Sequence, residues 1–187
     1  MKTQLAPPDR CSLTLDEFFE YMDSLAQRAP LHELEWRLRA LAITIDDVAA
    51  QVQFGTDRYR RNLMREGAQY QALILCWRSG QRSPIHNHAH STCGVRVLKG
   101  IATETVFDVS PCGLVKAVSS SDCIEGDVVV TQDSDTHQMS NLEEPGHDLV
   151  TLHIYSPPLR WMDTFSLTNG RVERVSEHVD HIDGSGI

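Results

Sequence analysis

The chain has 187 residues, 41% of them hydrophobic, which suits one domain with its own core. Its formal net charge is −9, from 17 Lys and Arg against 26 Asp and Glu, so anionic nucleic acids and membrane surfaces would be repelled on average. No apolar run is long enough to span a membrane, and the N-terminus lacks the apolar segment of a secretory signal. We therefore expect a soluble, cytoplasmic protein that binds neither nucleic acid nor membranes. Its oligomeric state is unknown from the sequence.

Helical patterns occupy the first third of the chain. Thr14 and Glu17 form a capping-box signature before an amphipathic segment that begins at Leu15. A second segment, LHELEWRLRALA, places its leucines on one stripe, and Thr44 suits the start of a third, short helix. We expect a helical segment over about residues 12–55, with its apolar stripes in the core.

From about residue 57 the pattern changes to short runs rich in β-branched and aromatic residues, separated by turn residues. Their regular spacing is typical of a β-sandwich or barrel. The predicted strands are YQALILCW, HSTCGVRVLKG, IATETVFDV, LVKAVSS, GDVVVTQ and DLVTLHIYS. We predict a single domain with an all-β barrel over about 57–165 and a polar C-terminal extension over about 166–187, whose last residues are loose.

Three histidines stand at alternate positions in the segment PIHNHAH. Along an extended strand, His86, His88 and His90 would share one face at steps of about 7 Å, so two of them can hold one metal ion. The best third ligand is His137, in a second strand-like segment. A lone histidine on a strand is more often structural than a ligand, but this combination favours a metal site. On this pattern alone, His90 could take the place of His86 as a metal ligand. Four further histidines are expected at the surface: His32, His147, His178 and His181.

Two segments resemble the motifs of the cupin family. The first, GQRSPIHNHAHSTCGVRVLKG, has Gly80, His86, His88 and Gly100 in register, with Cys93 where most cupins carry a glutamate ligand. The second has Gly126, His137 and Asn141 in register, with Gln132 and Ser134 replacing the Pro and Gly of the motif. This resemblance favours His86 over His90 and implies a cupin fold, a small β-barrel or jelly roll preceded here by α-helices.

The chain further resembles the cysteine dioxygenase family of thiol dioxygenases. The resemblance covers about residues 14–165 and includes Cys93 in place of the glutamate, YRRN at 59–62, LILCW ending at Trp77, the H-x-H site, and TLHIYSPP at 151–158. It implies a non-haem Fe(II) enzyme that oxidises L-cysteine with O2 to cysteine sulfinic acid. Its iron ligands would be His86, His88 and His137. Three neutral imidazoles leave Fe(II) its full charge, which favours a thiolate, whereas Zn²⁺ is redox-silent.

The resemblance also implies roles for other residues. Arg61 would bind the carboxylate of the substrate through two parallel hydrogen bonds, assisted by Tyr59, with Trp77 packed nearby. His153 would orient the hydroxyl of Tyr155 toward the oxygen side of the metal. The alternatives are that Arg61 is a solvated charge, and that His153 and Tyr155 are a buried pair that satisfy each other.

Three details of the resemblance concern the neighbourhood of Tyr155. Cys93 matches the cysteine that animal members join to this tyrosine through a thioether, although a one-residue shift would place Gly94 there. Thr151 replaces the serine that precedes the histidine and tyrosine in the family, and its hydroxyl can make the same contact. A cis peptide is implied between Ser156 and Pro157.

The sequence leaves two alternative functions open. A related thiol dioxygenase would act on 3-mercaptopropionate or cysteamine, although members that prefer mercaptopropionate generally carry glutamine where this chain has Arg61. A cupin that binds a metal or small ligand without catalysis would leave Arg61, His153 and Tyr155 without a chemical role.

Overall fold

The computed structural model describes residues 12–133 and 136–180. Two α-helices, α1 (Leu15–Ser24) and α2 (Leu31–Ala40), and a 3-10 helix (Asp46–Gln51) precede the strands. The strands are β1 (Arg60–Gly67), β2 (Tyr70–Trp77), β3 (Ile85–His86), β4 (Thr92–Lys99), β5 (Ala102–Val109), β6 (Val115–Cys123), β7 (Val128–Gln132), β8 (His137–Ser140), β9 (Leu149–Ser156), β10 (Trp161–Phe165) and β11 (Val172–Ser176). Within the described residues, no helix has the length and apolar character needed to cross a membrane.

The strands form two antiparallel sheets. The five-stranded sheet has the order β1-β2-β9-β4-β7, and the six-stranded sheet has the order β11-β10-β3-β8-β5-β6. The predicted fold class is confirmed, since helices at the N-terminal end precede a body built from two antiparallel sheets, the architecture expected of a cupin.

The helices cover the outer face of the five-stranded sheet. The predicted capping box of α1 is confirmed, because the Thr14 backbone N–H donates to Glu17 at 2.8 Å and the Glu17 N–H donates to the Thr14 hydroxyl at 3.2 Å. Phe18 of α1 and Leu34 of α2 are fully buried in the core between helices and sheet. The predicted third helix is the 3-10 turn, preceded by hydrogen bonds from Thr44 to the Asp47 carboxylate.

The two central strands, β2 and β9, are buried on both faces. Because side chains alternate along a strand, Leu152 and Ile154 of β9 pack toward the helices, whereas Leu149 and Tyr155 face the space between the sheets. Thr151 and His153 share the parity of Tyr155 and therefore face the same interior. Strand β2 sends Trp77 into that space as well.

Several strands were not predicted from the sequence, among them β1 and β11. The charged segment RRNLMREG forms β1 at the edge of the five-stranded sheet, where backbone pairing does not require an apolar strand. Strand β11 lies in the predicted C-terminal extension and pairs with β10. The Asp180 backbone N–H then donates to the Arg61 carbonyl at 2.9 Å, so the extension is hydrogen-bonded to β1. The last residues, predicted to be loose, lie outside the described range.

Candidate active site

Three buried histidines meet between the two sheets. His86 ends β3 and His137 begins β8, and their Cα atoms are direct partners across the two strands. His88 lies two residues beyond β3. The ring centroids of the three pairs are 5.0, 4.9 and 4.8 Å apart, and one ligand atom from each residue lies within 4.8 Å of the others. The structure therefore brings together the three histidines proposed as metal ligands.

The histidine segment does not form one continuous strand, and His90 lies apart from the cluster. Strand β3 ends at His86, and the backbone then turns through positive φ at Ala89 (48°) and His90 (92°). His90 is consequently exposed rather than part of the cluster. Three other histidines have exposed side chains, as predicted: His32, His147 and His178. His181 lies outside the described residues.

Hydrogen bonds fix the ring orientation of two cluster histidines. His86 Nδ1 lies 2.9 Å from the carbonyl oxygen of Pro84, which can only accept, so Nδ1 carries the proton. His137 Nδ1 lies 2.7 Å from Oε1 of Glu104, a buried carboxyl on β5. In both residues Nε2 is left as the ligand atom. Sequence reasoning missed Glu104, because no local motif marks a residue that acts through a neighbouring strand.

Burial keeps the His86 ring uncharged. Burial, together with the neighbouring His137 and His88, lowers the pKa of His86 well below its ordinary value. The ring is therefore neutral at physiological pH, which is the form that binds metals.

Arg61 projects from β1 into a pocket that His86 and His137 of the cluster also line. Its guanidinium carbon lies 5.5 Å from the ring centroid of Tyr155, and its side chain is buried. Burial disfavours the charged form, but Tyr155 and Glu177 outweigh this and raise the pKa of Arg61, so the group stays positive. Nε and Nη2 make no well-aligned hydrogen bond to any described residue, although Nη2 lies 2.6 Å from Oε2 of Glu177.

A chain of hydrogen bonds runs through the remaining interior residues. Trp77 Nε1 donates to the Thr151 hydroxyl at 3.0 Å, and Thr151 Oγ1 lies 2.9 Å from His153 Nε2. His153 Nδ1 lies 3.1 Å from the Tyr155 hydroxyl. Tyr59 stacks on Trp77 with centroids 4.0 Å apart. Burial lowers the pKa of His153 and raises that of Tyr155, so the ring is neutral and the phenol is protonated.

Cys93 is the direct cross-strand partner of Tyr155, and both side chains lie in the space between the sheets. Gly94 has the opposite orientation, since a Cβ there would lie 2.5 Å from Leu38 of α2. The register therefore places the cysteine, not the glycine, beside the tyrosine. The predicted cis peptide between Ser156 and Pro157 is confirmed.

Comparison with known proteins places this arrangement in a family. The family model described as cysteine dioxygenase type I matches residues 38–168, which is well over half of the chain. The chain belongs to the cysteine dioxygenase type I family. The matched range contains every residue of the cluster, the hydrogen-bonded chain and Arg61, whereas Glu177 lies beyond it. Family membership confirms the resemblance stated from the sequence, and the chain is an enzyme of the dioxygenase class.

The chain is also similar to individual proteins. Cysteine dioxygenase type 1 of Danio rerio is 29% identical over 178 residues, which cover 90% of this chain and 85% of the relative. The Homo sapiens protein of the same name is 32% identical over 134 residues, covering 68% and 66%. A solved structure with a double-stranded β-helix domain from Klebsiella pneumoniae subsp. pneumoniae has a TM-score of 0.49 at 15% identity, covering 72% of this chain and 88% of that one.

Proposed function

We propose that this protein is an Fe(II)-dependent thiol dioxygenase that converts L-cysteine into cysteine sulfinic acid. The reaction adds both atoms of O2 to the sulfur, so that R–SH and O2 give R–SO2H without another oxidant or reductant. One observation supports this most directly: two members of the three-histidine cluster, His86 and His137, line one pocket together with Arg61 and Tyr155. The histidines would hold the metal that binds the thiol, the arginine would bind the carboxylate of the substrate, and the tyrosine hydroxyl would face the reacting oxygen.

The donor set fits a ferrous ion. Three neutral imidazoles, His86, His88 and His137, would hold the ion on one side and leave adjacent positions for substrate. When bound, Fe(II) supplies a binding site for the thiolate and the redox chemistry that O2 requires. The chain holds two of these rings in fixed orientations, because Nδ1 of His86 and Nδ1 of His137 are hydrogen-bonded to Pro84 and Glu104.

Arg61 is the proposed carboxylate-binding residue. Nε and Nη2 are the two donors on one edge of a guanidinium, and a carboxylate can accept from both at once. Nε is buried without a hydrogen-bond acceptor among the described residues, and Nη2 has only the poorly aligned Glu177 carboxylate at 2.6 Å, so a substrate carboxylate would satisfy donors that the chain leaves incompletely paired. Tyr59 and Trp77, stacked on each other, form an adjoining wall.

The direction of the hydrogen-bonded chain gives Tyr155 its proposed role. The indole N–H of Trp77 can only donate, so the Thr151 oxygen accepts from it and can pass its own hydrogen to His153 Nε2. His153 Nδ1–H then donates to the Tyr155 oxygen. The Tyr155 O–H is left to donate a hydrogen bond, or move a proton, toward the oxygen atoms that react with sulfur.

A second substrate is favoured by one specific observation. Glu177 already places a carboxylate 2.6 Å from Arg61, so an aminothiol without a carboxylate, such as cysteamine, would need no free arginine. For 3-mercaptopropionate, as for cysteine, the carboxylate of the thiol would use Arg61.

The test is a substrate comparison with defined metal content. Metal-free protein is loaded with Fe(II) without oxygen, and air is added with cysteine, 3-mercaptopropionate or cysteamine. We expect oxygen uptake equal to sulfinate formed, fastest with cysteine, and no uptake by a matched Zn²⁺-loaded sample. Metal-independent oxidation, or no oxidation of any thiol by the iron-loaded protein, would contradict the proposal.

A further inference from the structure

Glu177 lies in an unusual position for an acidic residue. It directly follows β11, outside the range matched by the family model, yet its side chain is only 3% exposed. Its Oε2 atom is 2.6 Å from Nη2 of Arg61, the guanidinium nitrogen that a substrate carboxylate would also need. The chain thus supplies a carboxylate of its own to the residue proposed to bind that of the substrate.

The cavities on the two sides of Arg61 differ greatly in size. The inner pocket, beside the histidine cluster, has a volume of about 10 Å³, close to that of one water molecule, so no thiol fits unless a lining group moves. The outer cleft has a volume of about 330 Å³ and is open to solvent. Tyr59 and Arg61 line both cavities, and Glu177 lines only the outer cleft. The Arg61–Glu177 pair therefore lies where the outer cleft adjoins the pocket beside the histidine cluster.

The backbone around Glu177 is held on both sides. The Glu177 N–H donates to the Arg160 carbonyl at 3.1 Å, and three residues later Asp180 exchanges backbone hydrogen bonds with Arg61 and Leu63 on β1, at 2.9 and 3.0 Å. Rotation of the Glu177 side chain into the outer cleft breaks none of these bonds. The movable part of this segment is the carboxylate, not the strand.

We propose that Glu177 is a specificity-determining residue that competes for Arg61 and is displaced into the outer cleft by the carboxylate of an incoming thiol. This inference rests on the proposed function of the site. Burial raises the pKa of Glu177 even though Arg61 opposes the shift, so the charged carboxylate regains favourable hydration when it leaves. This gain in hydration free energy offsets part of the free energy lost when the Arg61–Glu177 ion pair is broken.

The first experiment measures carboxylate binding without metal or turnover. Propionate, a carboxylate without a thiol, is added to metal-free wild type, Glu177→Gln and Glu173→Gln, and the thermal unfolding midpoint is followed. Glu173 is the matched control because it lies on the same strand and half exposed, away from Arg61. We expect propionate to raise the midpoint of Glu177→Gln clearly more than those of the other two proteins. Equal shifts in all three, or none, would overturn the proposal.

The second experiment separates KM from kcat in the iron-loaded proteins. For Glu177→Gln we expect KM for cysteine and for 3-mercaptopropionate to fall about tenfold, the lower end of what a charged hydrogen bond contributes. We expect kcat to stay unchanged, because Glu177 does not reach the reacting atoms. KM for cysteamine should not fall, since its ammonium group would face an unpaired Arg61. A cysteine KM that stays the same or rises, or an equal fall for cysteamine, contradicts a role in competition.

Failure of the proposed function and failure of the inference about Glu177 give different results. If Glu177→Gln does not fold, Glu177→Ala is tested in the same assays, with propionate present during purification. If no variant oxidises any thiol, the proposed function fails, but the propionate comparison still decides whether Glu177 competes for Arg61. If cysteine is oxidised and the Glu177 variants behave as wild type in both assays, only the inference about Glu177 is wrong.

Discussion

Cys93 lies directly opposite Tyr155 across β4 and β9, with both side chains buried in the space between the two sheets. Directly opposed residues of antiparallel strands have Cβ atoms about 5 Å apart, so the sulfur can reach the edge of the phenol ring. Gly94 cannot take this place, because it faces α2. The sulfur and the ring are therefore positioned for a bond to form between them.

We expect a thioether between Cys93 and Tyr155 to form during turnover of the iron-loaded enzyme. The thiol and a ring carbon each lose one hydrogen, with O2 as oxidant, so the intact mass falls by two hydrogen atoms. Peptide mass spectrometry would locate the bond. Cys93→Ser and Zn²⁺-loaded wild type should keep the unmodified mass, and two unmodified side chains in wild type after extensive turnover would contradict the prediction.

Glu104 should control how tightly the metal is held. Its carboxylate contacts Nδ1 of His137 at 2.7 Å, and loss of such an outer partner typically costs about 10- to 100-fold in metal affinity. We expect Glu104→Ala to bind Fe(II) more weakly than Glu104→Gln, whose amide oxygen can still accept the hydrogen bond, and both more weakly than wild type. Competition with a metal-sensitive chelator measures this. Glu125→Gln, at an exposed position, is the control, and equal affinities in all four proteins would contradict the role.

Much of the interior could be predicted because its signals are local. Alternation within DLVTLHIYS places Thr151, His153 and Tyr155 on one face, and the structure has that face in the barrel interior. That pattern depends only on strand geometry, which a sequence states directly. For the histidines, alternation left His90 open as a ligand, and the resemblance to the cupin motifs favoured His86, His88 and His137.

The missed features all depend on contacts between distant segments. Glu104 reaches His137 from a neighbouring strand. Glu177 follows β11 of the six-stranded sheet and contacts Arg61 on β1 of the other sheet. Neither carboxylate belongs to a motif, so only the three-dimensional arrangement reveals its partner. For His90, alternation in the sequence allowed a place beside His86 and His88, but β3 ends at His86 and the backbone then has positive φ at Ala89 and His90.

The Arg61–Glu177 pair should behave as a unit in stability measurements. Removing one partner leaves a buried charge without compensation, which typically costs about 3–5 kcal/mol. We expect Arg61→Met and Glu177→Gln each to destabilise metal-free protein, and the double variant to lose clearly less than the sum of the two. Urea unfolding of the four proteins gives the coupling free energy. Strictly additive losses would show that the two groups, although 2.6 Å apart, do not interact energetically.

The hydrogen-bonded chain from Trp77 to Tyr155 predicts graded effects on kcat. Tyr155→Phe removes the group proposed to donate to reacting oxygen, and we expect kcat to fall about a hundredfold or more. Trp77→Phe keeps an aromatic ring stacked on Tyr59 but removes the N–H that fixes the Thr151 hydroxyl, so kcat should fall only about fivefold, the effect of one neutral hydrogen bond. KM for cysteine should change little in both. Trp36→Phe, with Trp36 52% exposed, is the matched control. A Trp77→Phe enzyme with wild-type kcat would mean that the donor chain begins at Thr151.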